Sequence, residues 1–380
     1  MTDSAISQDA MSEARAALLE HYDREARALP WRKDTDPYRV LVSEFMLQQT
    51  RVDTVLGYYD RWLDRFPTLD ALATADEEEV LKQWEGLGYY RRARNLHRAA
   101  QIVREELGGS LPRDVSGLAA LPGVGEYTSG AVASIAFGEA VPAVDGNVKR
   151  VLARLHDQAK PTVSWLRSTA GRWVDPVRPG DWNQALMELG ATICTPRAPA
   201  CARCPVEAWC GARRVGTVER RPAPVVKRKP KRVCIVLAVF HRSGSVLLEK
   251  RPDDGLLGGM WALPERRLGG ERGATGAAPR ASRPSGPATD VRGAVREMSR
   301  ALELALDGPV EMMEPVRHRF THLDATYLPA SAPVDVDGAG CGPHGGRLRW
   351  VEVQAVGLAI PVAQRKVLDA FFAQAEARNP

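Results

Sequence analysis

Apolar residues recur at helical spacing through the first half of the chain, in short runs broken by proline and glycine. One such run contains Ala71, Leu72, Val80, Leu81 and Trp84. Side chains at this spacing fall on one face of a helix, whereas a half-buried strand would alternate apolar and polar residues. Such alternation is missing from the sequence between Met11 and about Arg214. We therefore predict a mostly α-helical domain over residues 1–215.

The pattern changes after a basic, proline-containing segment at 216–232, which predicts an extended linker. Its charges could contact DNA or simply keep the chain soluble. Beyond it, Val233 to Phe240 and Ser245 to Lys250 are β-branched and apolar, with turn residues between them. These runs predict a mixed α/β domain over 233–380. Two stretches rich in glycine, alanine and proline, 269–293 and 329–346, are expected to be long loops inside it.

Composition bounds the class of protein. A chain of 380 residues exceeds one typical domain, which agrees with the two predicted from the pattern. The net charge of +5 suits a phosphate-binding surface without requiring one. No early segment has the charged start and apolar core of a signal peptide, and no run of about 18 apolar residues could span a bilayer. We expect an intracellular protein without a membrane partner.

Four of the six cysteines are grouped, at Cys194, Cys201, Cys204 and Cys210. The spacing C-x6-C-x2-C-x5-C allows one loop to bring four thiolates around a common centre, which could be zinc or an iron-sulfur cluster. Zinc fingers commonly use two close pairs, whereas here one close pair has two longer arms. The spacing therefore favours a [4Fe-4S] cluster. The isolated Cys234 and Cys341 are expected to be ordinary residues.

A glycine-containing string, Leu-Pro-Gly-Val-Gly at 121–125, precedes a run of small residues from Thr128 to Phe137 that predicts a closely packed helix. Gly123 and Gly125 permit a tight turn, and the backbone N–H groups at the helix start could hold a DNA phosphate. The string could also be a plain turn between helices. Further on, Asp145 precedes a glycine, which suits either a reactive carboxylate or an ordinary turn.

Taken together, these segments resemble the helix-hairpin-helix glycosylases, and most closely the MutY-type adenine DNA glycosylases. The matching strings are Pro30-Trp31-Arg32, Ser43 to Thr50, Gly86 to Tyr90, the string at 121–125, Val144 to Arg150, and the cysteine loop at 194–210. The resemblance implies a helical glycosylase domain with an iron-sulfur loop, double-stranded DNA as the partner, and removal of adenine paired with 8-oxoguanine or guanine. We expect such an enzyme to be a cytoplasmic, nucleoid-associated monomer.

The resemblance also implies roles for single residues. Glu44 would protonate adenine at N7 and later activate water, and Asp145 would stabilise the sugar cation or capture it covalently. A glutamate that is protonated near neutral pH requires a desolvated pocket. The remaining implied residues are Tyr127 and Asn147 in the catalytic group, Trp31, Arg32 and Gln184 in the adenine pocket, and Gln49, Tyr89, Gly123 and Gly125 at the DNA.

Position 127 separates this hypothesis from a related one. In the endonuclease III relatives a lysine follows the hairpin, forms a Schiff base with the sugar and cuts the strand. Here the residue is Tyr127, so we predict a monofunctional glycosylase that uses water. The alternatives are a pyrimidine-type glycosylase with lyase activity on the same scaffold, and a non-catalytic or redox-sensing iron-sulfur protein that binds DNA. The presence of both Glu44 and Asp145 argues against the last.

The region from Val233 to Pro264 resembles the MutT or Nudix-like domain that ends MutY-type enzymes. A working Nudix hydrolase needs paired glutamates for magnesium after an Arg-Glu, but Met298-Ser299-Arg300 follows Arg296-Glu297. We infer that hydrolysis is lost, which argues against a nucleotide-pool hydrolase. The loop by which the family senses 8-oxoguanine reads Phe-Ser-His, and its match here is Phe320, Thr321 and His322, with threonine in place of serine.

Overall fold

The computed structural model describes most of the chain, namely residues 6–224, 230–252, 255, 257–268, 287–320, 323–335, 347–352 and 357–378. The chain divides into two compact units. The first contains residues 1–83 and 92–226, and the second contains 84–91 and 227–380. Among the described residues, no helix combines the length and the apolar character needed to cross a membrane.

The first unit is helical, as predicted, and its described residues form no strand. Its helices are α1 (Gln8–Glu25), α2 (Pro37–Leu47), α3 (Val52–Arg65), α4 (Leu69–Ala73), α5 (Glu77–Gln83), α6 (Arg91–Glu106), α7 (Val115–Ala119), α8 (Glu126–Phe137), α9 (Gly146–Leu155), α10 (Val163–Trp173), α11 (Pro179–Thr192) and α12 (Gly211–Arg214). Single-turn 3-10 helices occupy Pro30–Arg32, Cys201–Arg203, Glu207–Trp209 and Val218–Arg220. Several helices begin where a side chain accepts a bond from a free N–H of the first turn, as Asp36 does for α2 and Asp145 for α9.

One core of this unit gathers α1, α9, α10 and α11. Trp173 and Trp182 lie at its centre with their rings stacked, 6.0 Å apart and inclined by 5°. Three of the four clustered cysteines pack at its edge, namely Cys194, Cys204 and Cys210. The cysteine loop is therefore built onto the helices that precede it in the chain.

The glycine string forms the turn between α7 and α8. Gly123 has φ +77°, and a Cβ added there would lie 2.7 Å from Asn95 Cβ and 2.9 Å from Phe45 Cε1. Because both neighbours are packed side chains, only glycine fits this position. Gly125 is the N-cap residue of α8, which begins two residues earlier than the predicted start at Thr128.

Residues 217–223, expected in the extended linker, instead pack on the first unit. Arg221 Nε donates to the carbonyl of Asp157 at 2.8 Å, and the N–H of Ala223 donates to the carbonyl of Ala159 at 2.8 Å. The buried Arg154 also donates to the carbonyls of Val218 and Arg221. These bonds satisfy backbone groups that an extended linker would expose to water.

The described residues of the second unit form a mixed sheet and two helices. Its elements are β1 (Lys231–Arg242), β2 (Ser245–Lys250), β3 (Trp261–Ala262), β4 (Glu265–Leu268), α13 (Pro287–Ala301), β5 (Glu311–Met312), β6 (Val316–Arg319), β7 (Leu323–Pro333), β8 (Leu348–Glu352) and α14 (Val362–Arg378). The strand order is β3-β2-β1-β7-β5, with β4 paired to β1, β6 to β7 and β8 to β2. Strands β1 and β7 run parallel, in register from Lys231 with Leu323 to His241 with Pro333, and the other pairs are antiparallel.

Side chains of β1 alternate between two cores, one on each face of the sheet. Leu237 and Val239 pack with Val367 of α14, whereas Val236 and Phe240 pack with α13. The mixed α/β prediction is confirmed. The loop predictions for 269–293 and 329–346 are wrong in part, because α13 begins at Pro287 and β7 continues to Pro333, paired with β1.

Candidate active site

A pocket of about 790 Å³ opens in the first unit, between α2, the glycine turn and α8, the start of α9, and α11. Most of the residues that sequence analysis assigned to catalysis, to the adenine pocket and to DNA line it, whereas Tyr89 is not in its lining. Those in its lining are Trp31, Arg32, Glu44, Gln49, Gly123, Gly125, Tyr127, Asp145, Asn147 and Gln184. The fold thus brings together side chains that are up to 153 positions apart in the chain, from Trp31 to Gln184.

Glu44 lies in the middle of α2 and is 5 % exposed. Its Oε2 has no hydrogen-bond partner among the described residues. Burial raises the pKa of Glu44 to about 7, and the nearby charge of Asp145 adds to the rise, while Tyr127 and Arg32 oppose it. This carboxyl group can therefore carry a proton at neutral pH and has one oxygen free for a ligand.

Asp145 is both a helix cap and a pocket residue. Its Oδ1 accepts from the N–H of Val148 at 2.7 Å, and its Oδ2 accepts from Asn147 Nδ2 at 2.7 Å. Burial raises the pKa of Asp145, and these two bonds act against that rise. The sequence left two interpretations of Asp145, a residue that forms a turn and an acid in the pocket. The structure is compatible with both at once.

Tyr127 lies in the first turn of α8, and its hydroxyl approaches Met187 Sδ at 3.2 Å. Burial and the neighbouring Glu44 raise the pKa of Tyr127 well above its usual range, so the group stays neutral and can donate. One hydroxyl proton serves one acceptor at a time, and a thioether is a weak acceptor. An ionised Glu44 would therefore attract this donor.

Glu188 of α11 also lines the pocket; it is 7 % exposed, and sequence analysis missed it. Arg27 donates to it through Nε at 2.6 Å and Nη2 at 2.8 Å, and Arg32 Nη2 donates at 2.9 Å. Burial alone would raise the pKa of Glu188, but these two cations lower it overall. The sequence did contain a signal for Glu188. It lies four positions after Gln184, which was assigned to the adenine pocket, and residues at this spacing share one face of a helix.

Arg150 was also missed, although it ends one of the matching strings. Its Nη2 donates to Asn147 Oδ1 at 2.9 Å, and its Nε donates to the carbonyl of Cys194 at 2.8 Å. Since Asn147 in turn donates to Asp145, a continuous series of hydrogen bonds joins the first cysteine of the loop to the pocket acid.

The four grouped cysteines line a second, small pocket together with Arg154 and Arg213. Arg154 is buried and its Nη1 donates to Cys194 Sγ at 3.2 Å. Within the described ranges, no set of three or more histidine, cysteine, aspartate and glutamate residues is placed to hold a single metal ion. Four thiols facing one space, with a buried guanidinium beside them, fit a thiolate-bound iron-sulfur group, whose negative charge the arginines would offset.

Two residues expected at the DNA are exposed and share an unusual backbone. Gln49 has φ +57° and lies just after α2, and Tyr89 has φ +49° and is 45 % exposed in the segment 84–91 of the second unit. Left-handed backbone is uncommon outside glycine and is found at functional positions more often than elsewhere.

In the second unit, Phe320 is half-buried against the core that includes Leu323 and Tyr327, and it donates its N–H to the carbonyl of Leu323 at 2.7 Å. Thr321 and His322 lie outside the described residues, so their predicted role stays a prediction. Glu297 of the incomplete Nudix box forms an ion pair with Arg266.

Comparisons with known proteins follow the same division. The profile described as HhH-GPD superfamily base excision DNA repair protein matches residues 42–176, and that described as NUDIX domain matches 235–370. A solved structure titled as a thermostable thymine-DNA glycosylase is 28 % identical, with a TM-score of 0.52, and covers 56 % of this chain and 100 % of its own. These matches confirm the predicted helical glycosylase fold and the Nudix-like domain.

Relatives from several organisms are named adenine DNA glycosylase, and two of them show the extent of the match. The one from Homo sapiens is 43 % identical over 309 residues, which are 66 % of this chain and 57 % of the relative. The one from Mus musculus is 38 % identical over 411 residues, which cover 93 % of this chain and 76 % of the relative. With this identity over most of the mouse relative, and with the two domain profiles matching in turn, the chain belongs to the adenine DNA glycosylase family.

Proposed function

We propose that this DNA glycosylase of base excision repair removes adenine from duplex DNA in which the adenine lies opposite 8-oxoguanine or guanine. The proposal rests mainly on the pair of pocket carboxyls, Glu44 and Asp145. Glu44 has a pKa raised to about 7 and an unpaired oxygen, and Asp145 is held by two hydrogen bonds. An acid for the leaving base and an anion for the sugar are the two groups that hydrolysis of an N-glycosidic bond needs.

In the proposed reaction, Glu44 gives its proton to N7 of adenine. The bond between C1′ and the base then breaks, and its electron pair leaves with the adenine. The sugar is left as an oxocarbenium-like cation, which the carboxylate of Asp145 stabilises. Water adds to C1′ and gives a proton to the carboxylate of Glu44, which restores the starting enzyme.

The surroundings suit a base taken out of the duplex. A cavity of about 790 Å³ has room for adenine, and Trp31, Arg32 and Gln184 offer a ring face and polar groups to it. Gln49 is exposed and would fill the space that the extruded base leaves in the stack. Tyr89 is also exposed and would enter the stack near the damaged guanine.

We further propose that Phe320, Thr321 and His322 recognise 8-oxoguanine on the opposite strand. Replacing His322 by alanine should slow adenine release opposite 8-oxoguanine more than opposite guanine, because only the former would lose a specific contact. Equal slowing on both duplexes would remove this assignment.

The four cysteines would hold a [4Fe-4S] cluster that orders the loop 194–210. Iron and acid-labile sulfide should each approach four per chain, and zinc in their place would overturn the assignment. Cys201→Ser should lower cluster content and DNA affinity together, because the loop carries the exposed Arg203. Cys234→Ser, in β1, is the matched control and should lower neither. Unchanged affinity after loss of the cluster would remove the proposed ordering role.

The decisive experiment uses a duplex with one adenine opposite 8-oxoguanine, followed by strand separation with and without hot alkali. Cleavage that requires alkali is expected from the wild-type enzyme and not from Asp145→Asn. Asparagine also caps helices, so this variant keeps the start of α9. Asp114→Asn, at the exposed N-cap of α7, is the matched control and should stay active. Binding without base release would favour the non-catalytic alternative.

The competing activity is strand cleavage through an imine between the sugar and a lysine. It can be tested because a lysine lies in the pocket lining. Tyr127 occupies the position of the lyase lysine, but the exposed Lys149 lines the rim of the same pocket. Borohydride trapping should be weak, and Lys149→Gln should abolish what there is. Efficient cleavage without alkali would favour the lyase. We also propose that the enzyme is a nucleoid-associated monomer, which light scattering and cell fractionation would test.

A further inference from the structure

The end of α2 is held by an arginine from another helix. The last carbonyl groups of a helix have no partner within it. Arg92, near the start of α6, is 7 % exposed, and its Nη1 lies 2.9 Å from the carbonyl oxygen of Phe45, 2.8 Å from that of Met46 and 2.6 Å from that of Gln48. A buried guanidinium thus replaces water at the negative end of the helix that carries Glu44.

The same guanidinium holds both sides of Gln49. On one side it binds the carbonyl of Gln48, and on the other its Nη2 donates to Thr50 Oγ1 at 3.0 Å. Between these two anchors Gln49 has φ +57° and an exposed side chain. A glutamine does not favour left-handed backbone, so the surrounding contacts must maintain it.

We propose that Arg92 is a positioning residue that fixes Gln49 in this conformation before DNA binds, so that its amide points toward the base stack. The inference rests on the proposed function, in which Gln49 replaces an extruded adenine. A side chain that is already in place loses less conformational entropy on binding, which lowers the cost of extruding the base. Arg92 acts through Gln49 and does not touch the reacting atoms.

Two substrates separate this role from a structural one. In the first, adenine is paired with 8-oxoguanine and must be extruded. In the second, adenine faces an abasic site and is already unpaired, which reduces the cost of extrusion. Arg92→Met should slow single-turnover release from the first substrate about 10- to 100-fold and from the second about threefold at most. Gln49→Ala should give the same pattern, and Arg92→Lys should lie between wild type and Arg92→Met.

Equal slowing on both substrates would overturn the inference, because Arg92 would then be acting on Glu44 or on folding. If Arg92→Met does not fold, Thr50→Val decides, since it removes one anchor beside Gln49 and leaves the three carbonyl bonds. That variant should slow only the paired substrate, about threefold, as expected for loss of one hydrogen bond. A wild-type enzyme that releases adenine from neither substrate overturns the proposed function, and this inference with it.

Discussion

Glu44 on α2 and Glu188 on α11 line one pocket and are 5 % and 7 % exposed, yet the pKa of Glu44 is raised and that of Glu188 is lowered. The two carboxyl groups differ in the cations that lie beside them. Two arginines donate three short bonds to Glu188 and keep it ionised, whereas Glu44 has an oxygen without a partner and a pKa raised to about 7. Burial alone therefore does not determine the protonation state of a carboxyl group.

The difference matters for the proposed chemistry. A group that must give up a proton is most useful when its pKa lies near the working pH, and pairing it with arginine would remove that property. A group that holds two arginines in place must stay charged. The pocket needs both, and it separates them by placing one on α2 and the other on α11.

The largest effect is expected from removing the charge of Glu188, the carboxylate that is paired with two arginines. Glu188→Gln would leave Arg27 and Arg32 without a carboxylate, and breaking a buried pair costs about 3 kcal/mol. The free energy of unfolding of the first unit, followed by tryptophan fluorescence in urea, should fall by that order. Glu126→Gln, which alters an exposed glutamate paired with Arg167, is the matched control. Unchanged stability of Glu188→Gln would mean that the pairing contributes little.

The next largest effect is the pH dependence of kcat/KM, which is expected to follow the ionisation of Glu44. Because the protonated form of Glu44 is the proposed acid and its pKa is about 7, kcat/KM should fall about tenfold per pH unit above that value. Because half of Glu44 is already ionised at pH 7, the loss between pH 7 and pH 9 is about 50-fold, equivalent to about 2.3 kcal/mol. Below pH 7 the rate should level off and fall again once Asp145, whose pKa is also raised, is protonated. A flat profile between pH 7 and 9, with DNA binding intact, would exclude Glu44 as the acid.

The desolvation of Glu44 could be predicted from the sequence, whereas the pairing of Glu188 with two arginines could not. The sequence places Glu44 in an apolar helical run beside Phe45 and Met46, so a desolvated carboxyl is a reasonable expectation. The pairing of Glu188 depends on Arg27 and Arg32, which are 161 and 156 residues away in the chain. No local pattern reports a contact that only the tertiary fold creates.

The fold shows the same limit. The β1-β2 hairpin could be predicted because the turn residues Ser243 and Gly244 separate two apolar, β-branched runs. In the structure these two residues have φ values of 41° and 76°, as two-residue turns between strands require. The start of α13 could not be predicted, because it lies inside a segment whose glycine, alanine and proline content indicates a loop. Apolar residues of α13, among them Val291 and Val295, pack against the sheet, and tertiary contacts override the local composition.

A smaller effect is expected on the stability of the protein, through the raised pKa of Glu44. The pKa of Glu44 rises from 4.5 in the unfolded chain to about 7 in the folded one, so the folded state binds the proton more tightly. Stability is therefore lost as pH rises from 4.5 to 7, by about 3 kcal/mol at most. Glu44→Gln, which cannot ionise, should be more stable than wild type by about 2 kcal/mol at pH 8 and no more stable at pH 4. Equal stability of the two proteins at pH 8 would contradict the raised pKa.

The smallest effect tests Tyr127, a neutral hydrogen-bond donor near Glu44. Hydrogen bonding by Tyr127 lowers the pKa of Glu44, so Tyr127→Phe should raise it and move the alkaline limb of the rate profile to higher pH. A hydrogen bond of about 1 kcal/mol corresponds to a shift of roughly half a pH unit to one unit. The position of the limb is measured independently of the maximal rate, which the same change can also lower. A shift to lower pH would mean that the tyrosine stabilises the protonated form, for instance by directing its hydroxyl proton to Met187 and accepting from Glu44.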